Sequence, residues 1–171
     1  MRILEDFDKH DYEELTEVFH REAVRAIIVI DHKLVMIKGK KYEEYKFPGG
    51  GIEKGESDLC ALIRETKEET GLTIISESVS PYGMMHEKRR SVFNPHQIFD
   101  MYSRYYLCHC ENKIEETDLD DYEIDYGYKL EFVSIDEAIK NNELARKHQH
   151  IATWIERELY VLKRLKEEGL M

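Results

Sequence analysis

Proline is scarce in this 171-residue chain, at three residues, and cysteine is equally rare. So few prolines beside 42% hydrophobic residues exclude an extended or disordered polymer, which lacks the apolar surface to fold. Three cysteines, an odd number, exclude a disulfide framework as the main source of stability. No apolar run approaches the roughly 20 residues that cross a bilayer. The opening Met1-Arg2-Ile3-Leu4-Glu5-Asp6 lacks the pattern of a secretory leader, so the expected location is cytoplasmic, away from membranes. Basic residues are also in deficit, 25 against 36 acidic ones, for a net charge of −11. That balance argues against nucleic acid as a partner, because such binding rests on phosphate neutralisation.

What is present is concentrated in one stretch. Pro48-Gly49-Gly50-Gly51 leads through Glu53 and Glu56 to a helical segment ending at Gly71. Ser57 is placed to cap that helix, Asp58 sits favourably at the positive end of its dipole, and Gly71 is a C-terminal stop. At about 100° per residue, Leu59, Leu62, Ile63, Thr66 and Thr70 form the expected buried stripe, with Cys60 beside it. Glu65, Glu68 and Glu69 are expected on the polar side with Asp58. Like charges this close repel by a few tenths of a kcal/mol per pair. A solvated acidic face is the plain reading; a site for a hard cation is the sharper one. The glycines favour the second, since they let backbone carbonyls approach a ligand.

Gly50, Glu56, Arg64-Glu65, Glu68-Glu69 and Gly71-Leu72 stand at the spacing of the Nudix box, and over residues 50–72 the chain resembles the Nudix hydrolases. Thr66 stands where that pattern usually has an aliphatic residue. The resemblance implies an α+β fold, an α/β/α sandwich with a mixed β-sheet, a catalytic loop–helix and a long C-terminal helix. It also implies Mg²⁺, with Mn²⁺ as an alternate, held by Glu65, Glu68, Glu69 and the Gly49 carbonyl. Glu65 would activate water, Glu56 would lie near the metal, Arg64 would hold the glutamates by ion pairing, and Glu53 would support them. Cleavage of a diphosphate linkage by metal-activated water is the implied reaction.

Elsewhere the chain reads as alternating strands and helices. Segments 24–30 and 33–38 form an expected hairpin around Asp31-His32. Segments 72–80, 98–109 and 129–133 are expected strands, and 81–97 a connection through Asn94-Pro95. Ser134 to Glu137 has capping-box spacing and opens a short helix. A C-terminal helix presents Ile151, Trp154, Ile155, Leu159, Leu162 and Leu165 inward. The length suits one domain over residues 1–171, with 1–20 as an arm or edge element.

Two basic groups are candidates for phosphate contact or plain solvated surface: Lys88-Arg89-Arg90 with His86 nearby, and Lys38, Lys40, Lys41 and Lys46. Lys46, Arg89 and Arg90 are the substrate-binding candidates. The acidic run 111–125 reads first as a solvated loop. By the resemblance it offers an extra ligand or base from Glu115, Glu116 or Glu123. Tyr82, Phe93, Tyr122 and Tyr126 are aromatics able to stack a base or pack a core. Cys108-His109-Cys110 reads as ordinary strand, since alternate residues face opposite ways. The substrate expected is a small nucleotide: a nucleoside diphosphate linked to another group, with nucleoside triphosphates, ADP-ribose and other nucleotide sugars, and dinucleoside polyphosphates all within the class. A homodimer is left open. The competing reading is a Nudix-fold module that senses a metabolite or binds a protein without catalysis; a third, an RNA pyrophosphohydrolase, conflicts with the charge of −11.

Overall fold

The computed structural model describes residues 1–148 and 153–170, without the side chain of Tyr122. Ile151 and the Tyr122 ring therefore lie outside the described residues. The organising element is a 14-residue strand, β2 (Glu17–Ile30), which follows the short strand β1 (Ile3–Asp8). A two-residue turn at Asp31 and His32, both at positive φ, reverses it into β3 (Lys33–Lys38), as hairpin twist requires. β3 pairs antiparallel with β4 (Tyr45–Lys46) and with β9 (Lys129–Val133). On its other side β2 runs parallel to β7 (Gln97–Cys108), which pairs antiparallel with β6 (Ser80–Arg90), and β1 lies parallel along β6. The sheet order is β1-β6-β7-β2-β3-β4, and β5 (Leu72–Ile74) pairs separately with β8 (Cys110–Ile114).

Alternation along β2 distributes the core to both faces. Val24, Ala26 and Ile28 pack with Ala61 and Leu62 of helix α1 (Asp58–Thr70). Ile27 packs on the opposite face with Phe47, Tyr105 and Val161, Leu162 and Leu165 of α4 (Ile155–Glu167). α3 (Ile135–Ala145) lies beside α4, and the short α2 (Asp121–Tyr126) precedes β9. Helices therefore cover a mixed sheet from both sides, the expected sandwich. None of the helices among the described residues is long and apolar enough to cross a membrane.

Several expectations are corrected. β2 starts at Glu17 rather than 24, and residues 1–20 supply an edge strand and the first part of β2. The expected strand 72–80 breaks at a 3-10 turn, Ser76–Ser78. Most of the expected 81–97 connection is β6, whose buried positions include Glu87 and Arg89 beside Met85. Charged residues on the inner face hid that strand. The acidic run likewise contains β8 and α2. On α4, Leu159, Leu162 and Leu165 are buried as expected, but so are Arg157 and Glu158.

Candidate active site

The glycine turn is held against β2 by backbone hydrogen bonds. The Val24 and Ala26 amides donate to the carbonyls of Gly50 (3.0 Å) and Pro48 (2.8 Å), and the Ile52 amide donates to Glu22 (3.0 Å). With the carbonyls of 48 and 50 turned to the sheet, that of Gly49 faces elsewhere and accepts from Arg25 Nη1. Gly49 has φ of 130°, and any side chain there would strike the Val24 carbonyl. At Gly50 a side chain would strike the Glu65 carboxylate, so this glycine cradles a functional group.

Helix α1 starts and stops where the sequence indicates. Ser57 Oγ accepts from the Cys60 amide at 3.2 Å, and Gly71 takes the left-handed conformation with φ of 71°. Its buried face is rotated from the one expected. Ala61, Leu62, Thr66, Glu69 and Thr70 are buried, while Leu59 and Cys60 are exposed. Glu69 falls seven residues after Leu62, only about 20° away around the helix. The glutamate side is thus the edge of the packed face, and Glu69, at 3% exposure, is inside it.

The three box glutamates have different settings. Arg64 gathers the outer ones. Its Nε and Nη2 hold both oxygens of Glu56 at 2.9 Å, and Nη1 reaches Glu65 at 2.8 Å and Glu68 at 3.2 Å. Nη2 also donates to the Gly51 carbonyl at 3.1 Å. The expected contribution of Glu53 is its backbone amide, which donates to Glu56 at 3.0 Å. Hydrogen bonding to Arg64 holds the Glu56 carboxyl below its ordinary value and raises Arg64 in turn. Burial raises Glu68, with Arg64 opposing and the neighbouring Glu65 and Asp120 adding to it.

Glu69 forms the floor. One oxygen accepts from the Gly49 amide and the other from Lys46 Nζ, each at 2.6 Å. Burial outweighs the cations Lys46 and Arg25 and raises its carboxyl to about 7. Lys46 also reaches Glu123 at 3.3 Å and lies over the Tyr128 ring at 4.2 Å. Of the candidates in the acidic run, Glu123 is the one brought to this floor. Glu115 pairs with Lys67 and Lys113, which hold its carboxyl down at about 2, and Glu116 is exposed. The run is more than a solvated loop: the Asp118 amide donates to Glu68 and that of Glu115 to Gly71.

The substrate-binding candidates fare unevenly. Lys46 is at the site but buried among carboxylates. Arg89 is buried over the Phe99 ring and donates to Thr153, and Arg90 is engaged by Pro95 and Glu14. Both lie toward the tip of the β6–β7 hairpin, opposite residues 98 and 99. Of the aromatics, Tyr82 is buried and bonded to Glu168, Phe93 is exposed at that tip, and Tyr126 stacks on Tyr128. Arg25 was not foreseen; a lone charge inside an apolar strand was the available signal, and it sits between Val24 and Ala26, where the glycine turn docks.

Among the described residues no three His, Cys, Asp or Glu side chains converge on one point as a ready metal site. The carboxylates converge instead on Arg64 and Lys46. Their donor chemistry fits a hard divalent cation nonetheless: all the donors are oxygens, on neighbouring turns of one helix, beside a cradle that only glycine leaves open.

These features coincide with a family. The NUDIX domain family matches residues 19–155, and the chain belongs to the Nudix hydrolase family. An RNA pyrophosphohydrolase from Ruthia magnifica is 42% identical over 55 residues, 32% of this chain and 31% of that protein. An ADP-ribose pyrophosphatase of Methanocaldococcus jannaschii is 46% identical over 54 residues, 29% of this chain and 31% of that one. The chain thus spans about a third of the length of each. The nucleoside triphosphatase NudI of Salmonella heidelberg is 26% identical over 71% of this chain and 79% of its own. A NUDIX hydrolase structure from Nitrosomonas europaea shares the fold at a TM-score of 0.60, with 19% identity, 88% of this chain and 90% of that one.

Proposed function

We propose that this protein is a Mg²⁺-dependent hydrolase that cleaves a diphosphate linkage in a nucleoside diphosphate joined to another group. The observation that carries this reading is the set of Glu65, Glu68 and Glu69 on adjacent helical turns against the Gly49–Gly50 cradle. The names of the three relatives all describe breaking a phosphoric anhydride, which supports the bond class. Glu65, Glu68, Glu69 and the Gly49 carbonyl would hold the ion; Glu69 oxygens that accept from Gly49 and Lys46 keep a lone pair each for it. When bound, Mg²⁺ would neutralise the diphosphate and lower the pKa of water.

The chain's own groups do the rest. Glu65, partly exposed beside the Gly50 backbone, orients the attacking water and takes its proton as the new P–O bond forms and the bridging P–O bond breaks. Arg64 fixes Glu65 and Glu68 in position, and Glu56 fixes Arg64. Arg25, bonded to the Gly49 carbonyl, keeps that oxygen turned away from the sheet. Three unpaired cysteines agree with a cytoplasmic setting.

The test is cleavage with Mg²⁺, read from the separated nucleotide products, of a panel of nucleoside triphosphates, nucleotide sugars and dinucleoside polyphosphates. Wild type should turn over at least one class, with loss in EDTA and in Glu65→Gln. Glu65 is the better probe than the buried Glu69, whose replacement also disturbs Lys46. Mg²⁺ binding without turnover of any substrate would establish the non-catalytic module instead.

A further inference from the structure

Two cations of the chain divide the site's carboxylates. Arg64 takes the outer ones, Glu56, Glu65 and Glu68, and is itself partly exposed. Lys46 takes the inner ones, Glu69 and Glu123, and all three side chains are 9% exposed or less. Glu69 comes from the box helix and Glu123 from α2, and Lys46 bridges them. Neither carboxylate is loosely placed. The second oxygen of Glu69 accepts from the Gly49 amide, and the second oxygen of Glu123 accepts from the Asp120 amide at 3.2 Å. Lys46 in turn is fixed by β4 pairing, with its Cα opposite Ile37, and by the Tyr128 ring beneath its ammonium.

Two carboxylates held this close in the interior require a positive charge between them. In a site that takes divalent metal, the obvious supplier is a second ion. We propose that Lys46 is a resident cation: its ammonium occupies the place between Glu69 and Glu123 that an additional divalent ion would fill. Metal is thereby confined to Glu65, Glu68, the Gly49 carbonyl and the side of Glu69 that faces them, and Glu123 acts through Lys46 as a positioning residue rather than as a ligand. An ammonium suits that place, since its three donors can serve two carboxylates at 2.6 and 3.3 Å at once. The inference rests on the reading that the box carboxylates bind metal.

The experiment counts Mn²⁺ bound per chain, by electron paramagnetic resonance titration of the free ion, with no substrate present. Lys46→Met should bind one more ion than wild type, and adding Glu123→Gln to it should remove that ion. Equal counts in wild type and a cooperatively melting Lys46→Met would overturn the proposal. Glu123→Gln alone, which keeps the shape of the site, decides the matter where Lys46→Met does not fold. Its Mn²⁺ count and affinity should match wild type, and loss of an ion would make Glu123 a ligand and Lys46 a bystander. Wild type that binds Mn²⁺ yet cleaves nothing refutes the hydrolase and leaves Lys46 standing. An active enzyme whose count ignores Lys46 refutes only the resident cation.

Discussion

Arg64 and Arg157 each gather carboxylates, in opposite settings. Arg64 is 28% exposed, and its partners Glu56, Glu65, Glu68 and Gly51 all come from the continuous stretch of the glycine turn and the helix that follows it. Arg157 is 3% exposed and joins three elements: Glu158 on α4, Glu87 on β6 at 2.6 Å, and the Tyr105 hydroxyl on β7 at 3.0 Å. Glu158 then accepts from the Phe47 amide at 2.8 Å, just ahead of the glycine turn. The exposed cluster can exchange a guanidinium for a ligand because water screens what is lost. The buried one cannot, because no solvent replaces a missing partner. The first is arranged for chemistry and the second anchors the loop on which that chemistry depends.

Arg157→Met should break the comparison most severely. It leaves Glu158 and Glu87 buried without their cation, a loss of about 3–5 kcal/mol. Urea unfolding would show it as a lower midpoint. A change below about 1 kcal/mol would mean the network is dispensable. Glu65→Gln should do the reverse: activity falls by about 10²–10⁴-fold, the range for a lost general base, while the urea midpoint holds. Activity within tenfold of wild type would place the proton acceptor elsewhere.

The two clusters were also unequally legible. Arg64, Glu65 and Glu68 stand on one helix and Glu56 just ahead of it, where spacing fixes neighbours, so the sequence displayed the cluster with its cap at Ser57 and stop at Gly71. Arg157 and Glu158 bind partners 52 to 111 residues away, and no local pattern reports such pairs. They fall outside the residues expected on the inner face of that helix. The setting of Lys46 was hidden for the same reason: one of four lysines read as phosphate contacts or solvated surface, it is enclosed by the return of the chain at Glu123. Glu69 was a geometric misreading rather than a hidden signal, since its seven-residue offset from Leu62 already placed it inward.

Glu69, held by Lys46 outside both clusters, ties the stability of the fold to pH. With its carboxyl at about 7 in the fold and 4.5 as reference, the unfolded chain releases this proton first as pH rises. Between those values the folded state binds more protons, so stability falls with rising pH, with a slope approaching about 1.4 kcal/mol per pH unit. Below 4.5 both states hold the proton and the contribution is constant. Glu69→Gln, followed in EDTA, should flatten the urea midpoint across that window relative to wild type. Parallel curves would show that Lys46 keeps Glu69 ionised throughout.

The smallest expected change is the most discriminating. Lysine carries the charge of arginine without its planar fork. Arg64→Lys should shift stability by less than about 1 kcal/mol, since the cluster faces water. It should nonetheless raise the Mg²⁺ concentration for half-maximal rate, because one ammonium cannot hold Glu56 at two oxygens and still span Glu65 and Glu68. Arg157→Lys keeps the charge too, but abandons the Tyr105 hydroxyl or one carboxylate in a closed interior, and its stability loss should exceed that of Arg64→Lys. Equal losses would erase the distinction between anchor and exchangeable cluster; the reverse order would make Arg64 the anchor.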